Sequence, residues 1–446
     1  MTLTPRSKKP RAWLTGIATL SIASLALTAC GGGGSDGGDQ VAATAKQKIT
    51  FWTWAPTPEQ FAVLQKQFAK EYPDTTIEWN NTADLDAYKK KLQVALAGGE
   101  GPDLFGVQTG SMLEEYSRFT APMSTLADQY MAGWKDKITA PAVTEATTSK
   151  GTLSAMPVIG AGMEYYLYNK TLMKEAGITD LPKTYADLKA DSAILKSKGL
   201  LSMAMGAKDG WHNEDFFVWL SQQYGAGDIY KAQDAQLPWT SKSLADTMTA
   251  WKALFTDGVF QKGALGVPTY PDARDSYFYS RKSAFFPTGS WHVSATITNP
   301  ETPGTKVEKD ELGMAAFPQI GPLPAKATTG VDLAFAVNKT SKHQAAAMSF
   351  VKFMTLGAGQ QTLINTLQGS PVNKDDQAQL PADASATAKE SVSVVTTGNK
   401  AAIYPRKLKY PELDTAIQVA LQEVVTGKSV ADALADIQKV SDGITR

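Results

Sequence analysis

The sequence predicts an α/β fold in two lobes, and three observations lead there. At 446 residues, 43% apolar and 20% charged, the chain is globular and longer than one hydrophobic core usually serves. Residues 48–108 alternate strand and helix patterns in the order β-α-β-α-β. A Gly-rich passage at Gly160 and Gly162 then leads into a second series of strands and capped helices, as a crossing between lobes would.

Residues 49–54, Ile-Thr-Phe-Trp-Thr-Trp, are aromatic and β-branched, the composition of a buried strand. Thr57 caps the helix that follows, Pro58 suits its first turn, Gln60 completes a capping box, and Phe61, Leu64 and Phe68 share one face until Pro73 ends it. A strand over 76–80, a helix carrying Leu85, Tyr88, Leu92 and Leu96 on one stripe, and a strand over 103–108 complete the unit. Right-handed crossovers make these strands parallel, with helices on both faces. Ligands of such sheets sit beyond the carboxyl ends of the strands, here residues 54–57 and 108–111, which brings Trp54 and Gln108 forward. Trp54 stands at the strand end, whereas Trp52 lies within the strand and is assigned to packing.

Further on, residues 165–169 read as a strand and 170–176 as a helix. Pro182, Thr184 and Asp187 mark another capped helix that ends near Gly199. Leu244, Met248, Trp251 and Phe255 form a helical stripe, and helices over 411–425 and 429–441 close the chain.

The N-terminus reads as a processing signal. Arg6, Lys8, Lys9 and Arg11 precede a small-residue apolar run over 12–29, the pattern of a secretory signal peptide. The run ends in Leu27-Thr28-Ala29-Cys30, which resembles the lipobox of bacterial lipoproteins; the resemblance implies that Cys30 carries diacylglycerol and becomes the new N-terminus. Cys30 is the single cysteine, so no intramolecular disulfide exists. Residues 30–47 are Gly-rich and make a flexible tether. The 44 basic and 44 acidic residues cancel, and without the leader 40 basic stand against 44 acidic, which argues against nucleic acid as a partner.

Enzyme chemistry is thinly supplied. His212, His292 and His343 are far apart in sequence, and neither zinc-ligand spacing, P-loop nor G-x-S-x-G elbow occurs. No enzyme activity, metal or cofactor is expected. Paired carboxylates keep a glycoside-hydrolysing lipoprotein as the alternative, beside a glycan-adhesion one.

Five pieces in order carry a wider likeness: Phe68-Ala69-Lys70-Glu71-Tyr72-Pro73; Tyr88 and Leu92 leading to Ala97-Gly98-Gly99 and Pro102-Asp103-Leu104; Tyr166 to Lys170 leading to Ala176-Gly177 and Pro182-Lys183-Thr184; Gly289-Ser290-Trp291; and Val337-Asn338-Lys339 before a helix with Phe350 and Phe353. The chain thus resembles extracellular solute-binding proteins of ABC importers, in the sugar-binding family related to maltodextrin-binding protein. The resemblance implies a periplasmic-binding-protein-like fold, each lobe a mixed, mostly parallel sheet flanked by helices, with the ligand cleft between lobes. One lobe would comprise 48–157 and 333–362, the other 158–332 and 363–446. It further implies a monomer, held by its lipid on the outer face of the cytoplasmic membrane, that passes a mono- or oligosaccharide to permease subunits.

A sugar presents hydroxyl rims and flat C–H faces, so its site needs aromatic plates and multivalent hydrogen-bonding groups. Tryptophans outside amphipathic stripes are the plates expected: Trp54, Trp211, Trp239 and Trp291, the last at the family's Gly-Ser-Trp position. Trp211 sits in a polar string read as a loop, where Asn213 either meets ligand or caps the next helix. Glu164, after the Gly-rich crossing, either accepts two sugar hydroxyls or is a surface acid. Asp332 lies in an apolar strand and needs partners, either ligand or backbone amides. Arg274, Arg281 and Arg406 are read as ion-paired surface groups or as anchors for an acidic sugar.

Overall fold

The computed structural model describes residues 46–297 and 302–446. The signal peptide, Cys30 and the tether through residue 45 lie outside the described residues.

The strands are β1 (Gln47–Thr53), β2 (Thr75–Asn81), β3 (Leu104–Val107), β4 (Met156–Met163), β5 (Tyr165–Asn169), β6 (Leu201–Met203), β7 (Ser283–Thr288), β8 (Leu312–Ala316), β9 (Thr328–Val337) and β10 (Ser370–Pro371). They form a six-stranded sheet in the order β10-β4-β9-β3-β1-β2 and a four-stranded one in the order β6-β7-β5-β8. Parallel pairing is confined to β3-β1-β2 and β6-β7. The other neighbours are antiparallel, yet β1 to β4 all point one way in the first sheet and β6, β7 and β8 in the second.

The first core forms as the apolar stripes predict. Thr57 and Gln60 make the reciprocal capping box on helix Pro58–Glu71, which buries Phe61, Leu64 and Phe68. Phe51 of β1 meets Phe335 of β9 edge-on at 4.8 Å and Phe350 at 5.4 Å, a geometry that aromatic quadrupoles favour. The second core gathers Phe216, Trp219, Trp239 and Trp251 with helices Pro411–Val425 and Val430–Asp442.

Two expectations change. The first sheet keeps the chain through Met163 and takes it up again at Thr328, beyond the expected turning points at 157 and 333. Gly160 and Gly162 lie inside β4, where a Cβ at Gly162 would collide with the Asn399 side chain. Gly162 serves close packing, and the chain leaves the sheet at Glu164. Trp239 is fully buried in the second core, its backbone N–H donating to Gln438 Oε1 at 2.6 Å, so it cannot face a cleft. No helix among the described residues is long and apolar enough to cross a membrane.

Candidate functional site: a cleft between the two sheets

A cavity of about 520 Å³ lies between the sheets, within the range of roughly 300–1,000 Å³ usual for small-molecule sites. Its first wall is made at the carboxyl ends of the parallel strands: Trp54 follows β1, Asn81 ends β2 and Gln108 follows β3. The second sheet contributes in the same way. Trp211 stands in the first turn of helix Gly210–Ser221, which follows β6, and Trp291 in the short helix Ser290–Thr296, which follows β7. Tyr270 and Arg274 enter from the segment Thr269–Phe278, and Asp332 of β9 and Arg406 complete the lining.

The aromatic wall has a defined geometry. Trp211 and Tyr270 lie nearly parallel, with ring planes 12° apart and centroids at 6.3 Å. Trp291 is tilted 52° to Trp211 at the same spacing. Its indole Nε1–H donates to the Tyr270 hydroxyl at 2.8 Å, and the Arg406 guanidinium lies 4.9 Å from its ring centroid.

Polar groups are held by buried ion pairing. Arg406 donates from Nη1 to Asp332 Oδ1 at 2.6 Å, and from Nε and Nη2 to Asp215 Oδ2 at 3.0 and 2.8 Å. Gln108 Nε2 adds a bond to the same Asp332 oxygen at 2.9 Å, and Lys407 Nζ reaches Asp215 Oδ1 at 2.8 Å. Burial pushes Asp215 up, but Arg406 and Lys407 outweigh it and hold the carboxyl below its ordinary range. Arg406 is raised despite burial because Asp215 and Asp332 face it. Burial, reinforced by Arg274, drives His292 well below its usual value and keeps it neutral. Arg274 pairs with Asp275, at 2.5 Å from Nε.

Five of the eight expected ligand residues therefore line one cavity: Trp54, Gln108, Trp211, Trp291 and Asp332. Three do not. Trp239 belongs to the core. Asn213 is buried and donates from Nδ2 to the Ala207 carbonyl at 2.8 Å, while the N-cap position it was offered belongs to Asp209. Glu164 is buried behind the lining, and burial, with Asp215 adding, raises its carboxyl well above the usual range, although Arg406 partly offsets this. Trp211 is also helical rather than in a loop. Every residue of helix Gly210–Ser221 is buried, so the sequence shows no polar face and no stripe.

Sequence reasoning missed Asn81 and Tyr270. Asn81 was within reach, since it closes the second parallel strand. Arg406 was offered as an ion-paired surface group or an anchor for an acidic sugar; its side chain is ion-paired but only 3% exposed, so it is not a surface group. Among the described residues, no group of three or more His, Cys, Asp or Glu is placed to hold a metal ion.

A double α/β frame with a cleft at its strand ends is the architecture of a two-lobed binding protein. Residues 54–361 match the family described as Bacterial extracellular solute-binding protein, and the chain belongs to it. Among curated relatives, the Multiple sugar-binding protein of Streptococcus mutans is 24% identical over 342 residues, covering 73% of this chain and 76% of that one. The Diacetylchitobiose binding protein DasA of Streptomyces coelicolor is 27% identical over 441 residues, covering 95% and 96%. The solved structure of maltose-bound MalE3 from T. maritima superposes with a TM-score of 0.72 at 19% identity, over 89% of this chain and 100% of that one.

Proposed function

We propose that this chain captures a neutral sugar or short oligosaccharide in the cleft and delivers it to the permease subunits of an ABC importer, as a monomer anchored by lipid at Cys30. The observation that carries the sugar reading is the convergence of Trp211, Tyr270 and Trp291 from one lobe with Trp54 from the other, around Gln108 and Asp332. Aromatic faces pack the C–H surface of a pyranose, and an amide and a carboxylate serve its hydroxyls. Neutrality is favoured because Arg406 is committed to two aspartates and Arg274 pairs with Asp275. The names of the curated relatives support the same class, and the Leu-Thr-Ala-Cys sequence supports the anchor.

Calorimetric titration of the mature protein with neutral and acidic mono- and oligosaccharides tests this. A neutral sugar should bind with quenched or shifted tryptophan fluorescence, and Trp291→Ala should weaken it by at least ~1 kcal/mol. Preference for an acidic sugar, or unchanged affinity in the variant, refutes the assignment. Cys30→Ser should abolish incorporation of labelled lipid.

A further inference from the structure

Trp291 is constrained from three sides. Arg406 lies over its ring, Tyr270 accepts its Nε1–H, and the six-membered ring rests on Gly289, where any Cβ would collide with it. Tyr270 has wider reach: its ring aligns with Trp211, the Arg274 guanidinium lies 5.2 Å from its centroid, and its hydroxyl is 3.5 Å from His292 Nδ1.

We propose that Tyr270 is the positioning residue of the cleft: its hydroxyl sets the plane of Trp291 while its ring sets that of Trp211, so one side chain preorganises both indoles for solute. The physical basis is the cost of ordering. An indole free to turn about its two side-chain torsions must be immobilised on binding, whereas one fixed beforehand has already lost that freedom. The hydroxyl is suited to this because the indole N–H is donor-only and needs an acceptor when half-buried. Gly289 completes the clamp from the other side. Its backbone, at φ −94° and ψ 175°, suits any residue, so the absence of a side chain there serves the indole and not the main chain.

The inference rests on solute binding at Trp291, and the test separates the two. In ¹⁵N-labelled mature protein without solute, the indole N–H resonance of Trp291, assigned by its loss in Trp291→Phe, should move and exchange faster with solvent in Tyr270→Phe. Gly289→Ala should also shift it. An unchanged resonance in Tyr270→Phe overturns the positioning role whatever the ligand. Maltose, N,N′-diacetylchitobiose and D-galactose then serve as titration probes. The tightest should bind Tyr270→Phe roughly three- to tenfold more weakly, the worth of one hydrogen bond, with its rank among the three preserved. If a probe binds, Trp291→Ala weakens it and Tyr270→Phe does not, the inference fails and the sugar reading survives. If none binds the native protein, the sugar reading loses support while the resonance still decides on Tyr270.

Discussion

Replacing Arg406 by Met removes the guanidinium but keeps a long side chain in its channel. The Arg406 side chain is 3% exposed and that of Asp215 is wholly buried, so the variant strands a carboxylate in surroundings with almost no water. Breaking a buried pair by deleting one partner costs about 3–5 kcal/mol. Asp215 keeps Lys407 at 2.8 Å and Asp332 keeps Gln108 at 2.9 Å, which places the expectation at the lower end, about 3 kcal/mol. Urea unfolding followed in parallel by tryptophan fluorescence and far-UV circular dichroism measures it, and coincident transitions license a single free energy. The double variant Arg406→Met/Asp215→Asn should recover part of the loss, since the stranded charge is gone. The pH dependence has a definite sign. The folded Asp215 carboxyl is depressed, so its contribution is present above the ordinary carboxylate value and is lost as pH falls through the folded one. That acid-side loss should be absent from Arg406→Met. A destabilisation below about 1 kcal/mol, or no recovery in the double variant, would show that these charges are already well solvated.

Two further substitutions probe the buried groups behind the cleft. Burial pushes His212 down to about 4 from 6.5, so between those values the unfolded chain binds the extra proton and stability falls with falling pH, by about 3 kcal/mol in all. His212→Gln should lose that part of the pH slope, and an equal drop in unfolding free energy from pH 7 to 4.5 in variant and native protein, measured by urea titration, would count against it. Glu164 has the opposite sign: its raised value makes the folded protein hold a proton that the unfolded one releases, so its contribution is present below pH 4.5 and declines above. Glu164→Gln should therefore be more stable than the native protein at pH 8 and nearly equal to it at pH 4; a lower denaturation midpoint at pH 8 would refute this.

The β-α-β-α-β unit was legible because each element carries its own punctuation, such as the Thr57–Gln60 box and the stripe of helix Leu85–Ala97. The rule about strand ends then led to Trp54 and Gln108 without any side-chain contact being known. The buried pairing of Arg406 with Asp215 and Asp332 was not legible, because these partners stand 191 and 74 positions away and nothing local marks them. Trp239 misled for a related reason. It follows Pro238 in a stretch without periodicity, yet the C-terminal helices, closing the chain far downstream, bury it. Gly162 illustrates an ambiguity in glycine itself, which signals flexibility in a sequence and permits close packing in a strand.

The two aspartates that grip Arg406 belong to different halves, Asp332 to a strand of the first sheet and Asp215 to a helix packed in the second core. A carboxylate in so dry a setting cannot give up its counter-charge cheaply. Separating the two halves would therefore leave one of these carboxylates without the guanidinium, so this one side chain acts as a tie between the two sheets' cores.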